Sequence, residues 1–293
     1  MDLRHIPFVK MNGLGNDFVI IDARAEPVPL SAAAAGAIAN RKSGVGCDQV
    51  IVLEPSRQAE VFMRILNADG SEVGACGNAT RCVAALLQPS LQRSRITIET
   101  LAGMLDARVA EDGSVTVDMG VPLFAWDEIP LADPAADTRE VRLTFTLPDG
   151  RVLAEPSVVN VGNPHCIFWV RNADSYDLAS FGGKLERHPL FPERANISLA
   201  EATDEHTIKL RVWERGAGIT RACGTAACAA AVCAVRTGRT GRKVEVWLPG
   251  GILAVEWRES DDHILMTGPA EVEFEGVLHL NGRAGTVEVA RSS

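Results

Sequence analysis

Two unusual strings recur in this chain at one spacing, and that recurrence limits the fold more than any other feature. Ala75-Cys76-Gly77 returns as Ala222-Cys223-Gly224, and Gly15-Asn16 returns as Gly162-Asn163, each 147 positions on. The same shift lays Gln49 on Asn196 and Arg64-Ile65 on Arg211-Val212. One ungapped register relating four segments in the same order marks a duplicated domain. Two similar halves are therefore expected, and 293 residues with 46% hydrophobic content suffice for two ordinary cores.

Short β-branched runs read as strands in both halves. They include Phe18-Val19-Ile20-Ile21, Val50-Ile51-Val52-Leu53 and Val61 to Leu66 in the first, and Cys166 to Val170 and Ile208 to Trp213 in the second. After each Ala-Cys-Gly the pattern turns helical, over Asn78 to Leu87 and Thr225 to Val235, with Asn78 or Thr225 as expected caps. Each repeated cysteine thus stands at a helix N-terminus. The expected class is α+β, with two pseudo-symmetric halves, each a curved or barrel-like set of strands wrapped on a central helix. The Pro130 and Pro134 segment places the boundary near its start, giving 1–122 and 123–269. Val272-Glu273-Phe274 and Val287-Glu288-Val289 read as closing strands, within 270–293, that return to the first half.

Charge and cysteine usage narrow the function. A net charge of -9 has the wrong sign for tracking phosphates, so no nucleic-acid partner is expected. The longest apolar run, Ala226 to Val235, is about half of what a spanning helix needs, so no membrane role is expected. With no signal-peptide pattern and seven cysteines, an odd number, the reading is a cytoplasmic protein with reduced thiols. No cysteine pair has zinc-knuckle spacing, and no metal is expected. No GxGxxG or Walker loop appears, and none of the five lysines stands in a phosphate-cradling context, so no cofactor is expected either.

A thiol at a helix N-terminus feels the positive end of the helix dipole, which favours thiolate and can bring its pKa down from about 8.5 into the range of roughly 3.5 to 7.5. If the halves face each other about a pseudo-twofold axis, the two tips converge on one cleft. One thiolate would then take a proton from one face of a carbon while the opposing thiol delivers another to the other face. Backbone N-H groups at Gly77, Asn78, Gly224 and Thr225 would hold a carboxylate there. A Cys-His hydrolase through His165 would not explain the second matched cysteine. Cys47, Cys82, Cys166, Cys228 and Cys233 read as core residues, Cys47 and Cys166 flanking strands. Oxidation joining the catalytic pair would abolish activity until a reductant restores it.

With Lys10 to Phe18, Gly46-Cys47-Asp48-Gln49, Asn67 to Glu72, Cys76-Gly77-Asn78, Gly162-Asn163-Pro164-His165, Glu214-Arg215-Gly216 and Ala222 to Thr225, the sequence closely resembles the diaminopimelate epimerases. These are cofactor-independent enzymes of lysine and peptidoglycan precursor synthesis. Leu248-Pro249-Gly250-Gly251 and Met266 to Ala270 extend the likeness through nearly the whole chain. The resemblance implies Cys76 and Cys223 as the acid/base pair interconverting LL- and meso-2,6-diaminopimelate. It implies Asn16, Gln49, Asn67, Asn163, Asn196, Glu214 and Arg215 as substrate contacts, Gly77-Asn78 and Gly224-Thr225 as the backbone cradle, and a homodimer. Amides can donate or accept, Glu214 can take an ammonium and Arg215 can grip a carboxylate. Without the resemblance, the asparagines beside glycine read as turn formers and Glu214-Arg215 as a solvated pair.

Under the repeat, Phe18 falls on His165 and Asn67 on Glu214, so the titratable members lie in the second half. His165 and Glu214 are accordingly expected to tune the thiols, and His165→Asn to shift the pH-rate profile. Asn12 replaces a frequent histidine of the family, while Ala75, Ala79 and Ala226 replace a methionine and two glycines. Rival readings are a proline-type racemase, which carries histidine where this chain has Asn78, a phenazine-type isomerase, which lacks the paired cysteines, and a thiol-based binder or sensor without turnover.

Overall fold

The computed structural model describes residues 4–280 and 287–291. Residues 281–286 and 292–293 of the expected closing segment lie outside the described residues. The chain divides into two compact units, Met1–Val117 with Gly268–Ser293, and Asp118–Thr267.

The first unit begins with β1 (Arg4–Asn12), β2 (Asp17–Asp22), α1 (Ala32–Ala39), β3 (Gln49–Glu54), β4 (Val61–Asn67) and the short β5 (Glu72–Val73). It continues with α2 (Gly77–Leu91), β6 (Arg95–Thr100), β7 (Gly103–Val109) and β8 (Val115–Asp118). Strands β2 and β3 run parallel and are buried on both faces, which is why they read as unbroken apolar runs. One face sets Val19, Ile21, Val50 and Val52 against Ala34, Ala35 and Ile38 of α1. The alternation leaves Phe18, Ile20, Ile51 and Leu53 buried on the other.

The second unit opens with a hairpin, β9 (Thr144–Thr146) and β10 (Val152–Ala154). Then come β11 (Ser157–Asn160), β12 (Pro164–Trp169), α3 (Leu178–Glu186), β13 (Asn196–Asp204), β14 (Thr207–Glu214), β15 (Gly218–Thr220) and α4 (Gly224–Arg236). The unit ends in β16 (Lys243–Leu248), β17 (Gly251–Trp257) and β18 (Ile264–Gly268). The strands wrap α4, which packs against β11 to β14, β16 and β17 and buries every residue from Ala226 to Ala234. Alanine suits this position because it forms helix readily and lets the surrounding backbone approach. The chain returns to the first unit with β19 (Glu271–Leu280) and β20 (Val287–Arg291), where β19 pairs antiparallel with both β1 and β20.

Each unit repeats the internal register of the other, which gives the α+β duplication its structural form. Phe18 pairs with Gln49 in β2–β3, and His165 with Asn196 in β12–β13. Ile65 pairs with Val73 in β4–β5, and Val212 with Thr220 in β14–β15. All four positions keep the 147 spacing. After α4 the spacing lengthens by one, since Arg95 pairs with Arg108 but Lys243 with Glu256. One residue has been gained between helix and strand without disturbing the pairing. Cys166 lies inside β12 rather than at its flank. Helix α2 runs past the expected Leu87 to Leu91, carrying Pro89 in its last turns. No helix among the described residues is long and apolar enough to cross a membrane.

Candidate active site

Both repeated cysteines occupy the residue before the first helical turn. Cys76 has φ -149° and ψ 110°, Cys223 has φ -140° and ψ 109°, and neither helix start carries a side-chain cap. Asn78 and Thr225, expected as caps, instead stand inside the first turn. The first ladder bonds are Thr80 N to Cys76 O at 2.9 Å and Ala227 N to Cys223 O at 3.1 Å. The N-H groups on Gly77 and Asn78 and on Gly224 and Thr225 therefore precede the helical ladder. Upstream, Gly15 (φ 87°) and Gly162 (φ 98°) turn the chain into Asn16 and Asn163. A Cβ on Gly162 would meet nothing within 4 Å, so its left-handed backbone, not lack of space, calls for glycine.

In the first unit Asn16 links the thiol to an ionic cluster that runs from the buried Lys10 to the exposed Arg41. Its Nδ2 donates to Asp48 Oδ2 at 2.8 Å, which aims Oδ1 at Asn78 Nδ2, 3.3 Å away, and at Cys76 Sγ, 3.9 Å away. Asp48 is itself fixed by Arg41 Nη2 at 2.7 Å and by the Asp17 amide at 3.1 Å. Asp17 accepts from Arg41 and from the buried Lys10, whose Nζ lies 2.5 Å away. Burial of Asp17 opposes ionisation, but bonds to Arg41 and Lys10 prevail and hold its carboxyl well below the usual range. Gln49 Nε2 donates to Asn67 Oδ1 at 3.0 Å, and Asn67 Nδ2 to Ser71 Oγ at 3.0 Å. Among the described residues, Gln49 Oε1 and Asn78 Oδ1 are buried without a hydrogen-bond partner.

In the second unit the polarity of the matched asparagine is reversed. Asn163 Oδ1 accepts from His165 Nε2 at 2.8 Å. His165 is fully buried, and burial first and the Arg215 charge second bring its pKa down to about 3. The imidazole is therefore neutral and carries its hydrogen on Nε2. Its Nδ1 is buried without a hydrogen-bond partner among the described residues. Asn196 Nδ2 donates to Pro164 O at 3.2 Å, and its Oδ1 accepts from Arg215 N at 2.9 Å. The Arg215 guanidinium donates to Glu193 O at 2.9 Å. Glu214 accepts from the Thr220 hydroxyl.

Cys223 is 4% exposed, with Sγ 3.5 Å from Thr225 Oγ1. Burial pushes this thiol well above its ordinary value, and the Glu214 carboxylate adds to the shift. The Thr225 hydroxyl and Ala226 N-H oppose it and are outweighed. The depressed pKa expected of a helix-tip thiol thus does not hold at Cys223, because desolvation and a facing carboxylate exceed the helix terminus. Cys47, Cys82 and Cys233 are pushed by burial to about 12 and Cys166 also upward, as befits core thiols.

A sequence profile for diaminopimelate epimerase matches residues 8–125 and 157–273. The chain belongs to the diaminopimelate epimerase family. A diaminopimelate epimerase of Rhodopseudomonas palustris (strain TIE-1) is 53% identical over 272 residues, covering 92% of each chain. Those of Rhodospirillum centenum and Brucella melitensis biotype 1 are 53% and 51% identical over 274 residues, with 92% of this chain covered and 91% and 90% of theirs. Among solved structures, a hydroxyproline epimerase from Agrobacterium vitis aligns with a TM-score of 0.68 at 15% identity, over 97% of this chain and 95% of that one. A phenazine biosynthesis protein of the PhzF family from Bacillus anthracis aligns at 0.67 and 18%, over 95% and 100%. These two share the fold of the diaminopimelate epimerase family with this chain.

Sequence reasoning missed the residues that hold the candidate ligands. Lys10, Asp17 and Asp48 lie within the strings that carry the family resemblance, yet only contact geometry shows Asp48 gripping Asn16 and Asp17 and Lys10 backing it. Ser71 lies in the Asn67 to Glu72 string without a role assigned to it, and Arg41, Glu193 and Thr220 carried no signal in pattern or spacing.

Proposed function

We propose that this chain is a cofactor-independent isomerase interconverting LL- and meso-2,6-diaminopimelate, with Cys76 and Cys223 as the paired acid and base. Family membership over most of the chain carries the reading, and the like backbone setting of the two cysteines supports the pairing. In the forward step the Cys76 thiolate takes the α-hydrogen, leaving a carbanionic centre conjugated with the α-carboxylate. The Cys223 thiol then gives its hydrogen to the opposite face, so one proton leaves and one arrives. Cys223 suits the acid role because burial and Glu214 keep it protonated. The reverse reaction starts from the opposite protonation of the pair.

The N-H groups of Gly77, Asn78, Gly224 and Thr225 take the reacting carboxylate and the charge that grows on it. Asn16, Gln49, Asn67, Asn163, Asn196, Glu214 and Arg215 sort the remaining ammonium and carboxylate groups. Asn16 presents an acceptor, suited to an ammonium, and Asn163, its oxygen held by His165, has its amide hydrogens left to donate. His165 acts as a neutral donor and orients Asn163, rather than as a charge that tunes the thiols. The product serves lysine and peptidoglycan precursor synthesis.

The deciding experiment incubates reduced protein with LL-diaminopimelate in D2O, with L-proline in parallel. Meso product carrying α-deuterium is the expected result. Inversion of proline alone would overturn the substrate, and no exchange with either would leave a binder or sensor. A cytoplasmic homodimer is part of this proposal, the dimer resting on resemblance to the family alone, and sedimentation tests it.

A further inference from the structure

We propose that Glu186 is a positioning residue that locks the Glu214-Arg215 segment in place from the end of α3. The inference rests on the reading of Glu214 and Arg215 as substrate contacts. The Glu186 side chain is 2% exposed, and an acidic group so buried persists only where donors meet it. Oε2 accepts from the Trp213 indole Nε1 at 2.8 Å, and Oε1 accepts from Gly216 N at 3.2 Å. Those two donors bracket Glu214 and Arg215 in sequence. Arg194 Nη1 lies 3.6 Å from Oε1 and supplies a nearby positive charge.

The helix is shaped to receive this segment. A Cβ on Gly182 would come within 2.6 Å of the Trp213 ring, and one on Gly183 within 3.1 Å, so two adjacent glycines let the indole lie on α3. Glu186, one turn further on, meets the indole N-H. The same helix end reaches the other support of the segment, because Glu186 O accepts from Ala195 N at 3.3 Å. The neighbouring Asn196 and Glu193 then bind the Arg215 amide and guanidinium. The first unit keeps the backbone link, Cys47 N donating to Ala39 O at 3.1 Å, but not the carboxylate or the indole, since Ala39 and Leu66 stand at the positions matching Glu186 and Trp213, and Asn67 is held by Gln49 and Ser71. The extra hold accompanies the unit in which the matched residue is a carboxylate facing a thiol. A displaced neutral amide loses one contact, whereas a displaced charge alters both the ligand and the sulfur it faces.

The test compares Glu186→Ala and Glu186→Gln with wild type in LL-diaminopimelate kinetics and in the indole N-H resonances of the tryptophan-labelled full chain. Trp213→Phe identifies the Trp213 resonance. Glu186→Ala is expected to move that resonance and to raise KM about tenfold or more in folded protein, with Glu186→Gln intermediate because its amide serves one of the two donors. A merely structural role would lower the melting temperature and leave KM unchanged, overturning the proposal. Should Glu186→Ala not fold, Glu186→Gln decides on the same two readouts. A wild-type chain without epimerase activity fails the parent reading, not this one. The Trp213 resonance then decides alone, and its indifference to Glu186→Gln overturns the clamp.

Discussion

His165 Nε2 donates to Asn163 Oδ1 at 2.8 Å from a ring that the first unit replaces with Phe18. A histidine so buried is kept neutral in the fold, and this has a consequence for stability. Its pKa falls from 6.5 to about 3, so the unfolded chain binds a proton that the folded chain refuses. The penalty is absent above pH 6.5 and grows as pH falls toward about 3, by roughly 1.4 kcal/mol per pH unit. His188, also lowered by burial, acts in the same direction. Asp17 adds its own loss only below its ordinary value of 3.8, as protonation removes its bonds to Arg41 and Lys10. Between pH 6.5 and 4 the slope of stability against pH should therefore shrink in His165→Gln, which donates to Asn163 without titrating. Urea unfolding at several pH values checks this, and an unchanged slope would contradict a neutral His165.

Removing either thiol should abolish inversion. Proton transfer by a positioned group is worth about 10² to 10⁴ in rate, so Cys76→Ala and Cys223→Ala are each expected to lose at least about 10³ in kcat. Chiral analysis of product, run beside a binding measurement, separates lost chemistry from lost affinity. Retention of more than a few per cent of kcat in either variant would remove that cysteine from the pair.

The two thiols should differ in reactivity. Cys76 is partly exposed, whereas Cys223 is 4% exposed and pushed up by burial and Glu214. At pH 8, iodoacetamide is expected to label Cys76 at least about tenfold faster, since the thiolate is the attacking form. Peptide mapping by mass spectrometry reads the order directly, and Glu214→Gln should narrow the gap by speeding Cys223.

The repeat made much of the fold legible, because matched strings at a fixed spacing survive only where backbone conformation is held in common. Gly15 and Gly162 keep the same left-handed turn, and Cys76 and Cys223 the same extended backbone before a helix. What the sequence hid are the contacts between residues far apart along it. Arg41 meets Asp17 and Asp48 across the β2–β3 pairing, and Glu186 meets Trp213 across 27 positions. Helices α1 and α3 escaped notice because neither carries a repeated string, though they lie at matched positions. The helix-dipole argument at Cys223 erred for a related reason, since burial and the approach of Glu214 depend on packing that no local pattern reports.

Asp48→Ala separates positioning from stability. Asp48 and Arg41 are 41% and 57% exposed, and a pair so solvated contributes little, so unfolding should change by less than about 1 kcal/mol. The bond from Asn16 to the Asp48 carboxylate is another matter, because it decides which end of the amide faces Cys76. Losing this bond costs little stability at so exposed a carboxylate, but it frees Asn16 to turn its nitrogen toward the thiol. The expected outcome is a fall of about tenfold or more in kcat/KM with an almost unchanged melting temperature. If kcat/KM holds while Asn16→Ala is impaired, the orientation of Asn16 is set by something other than Asp48.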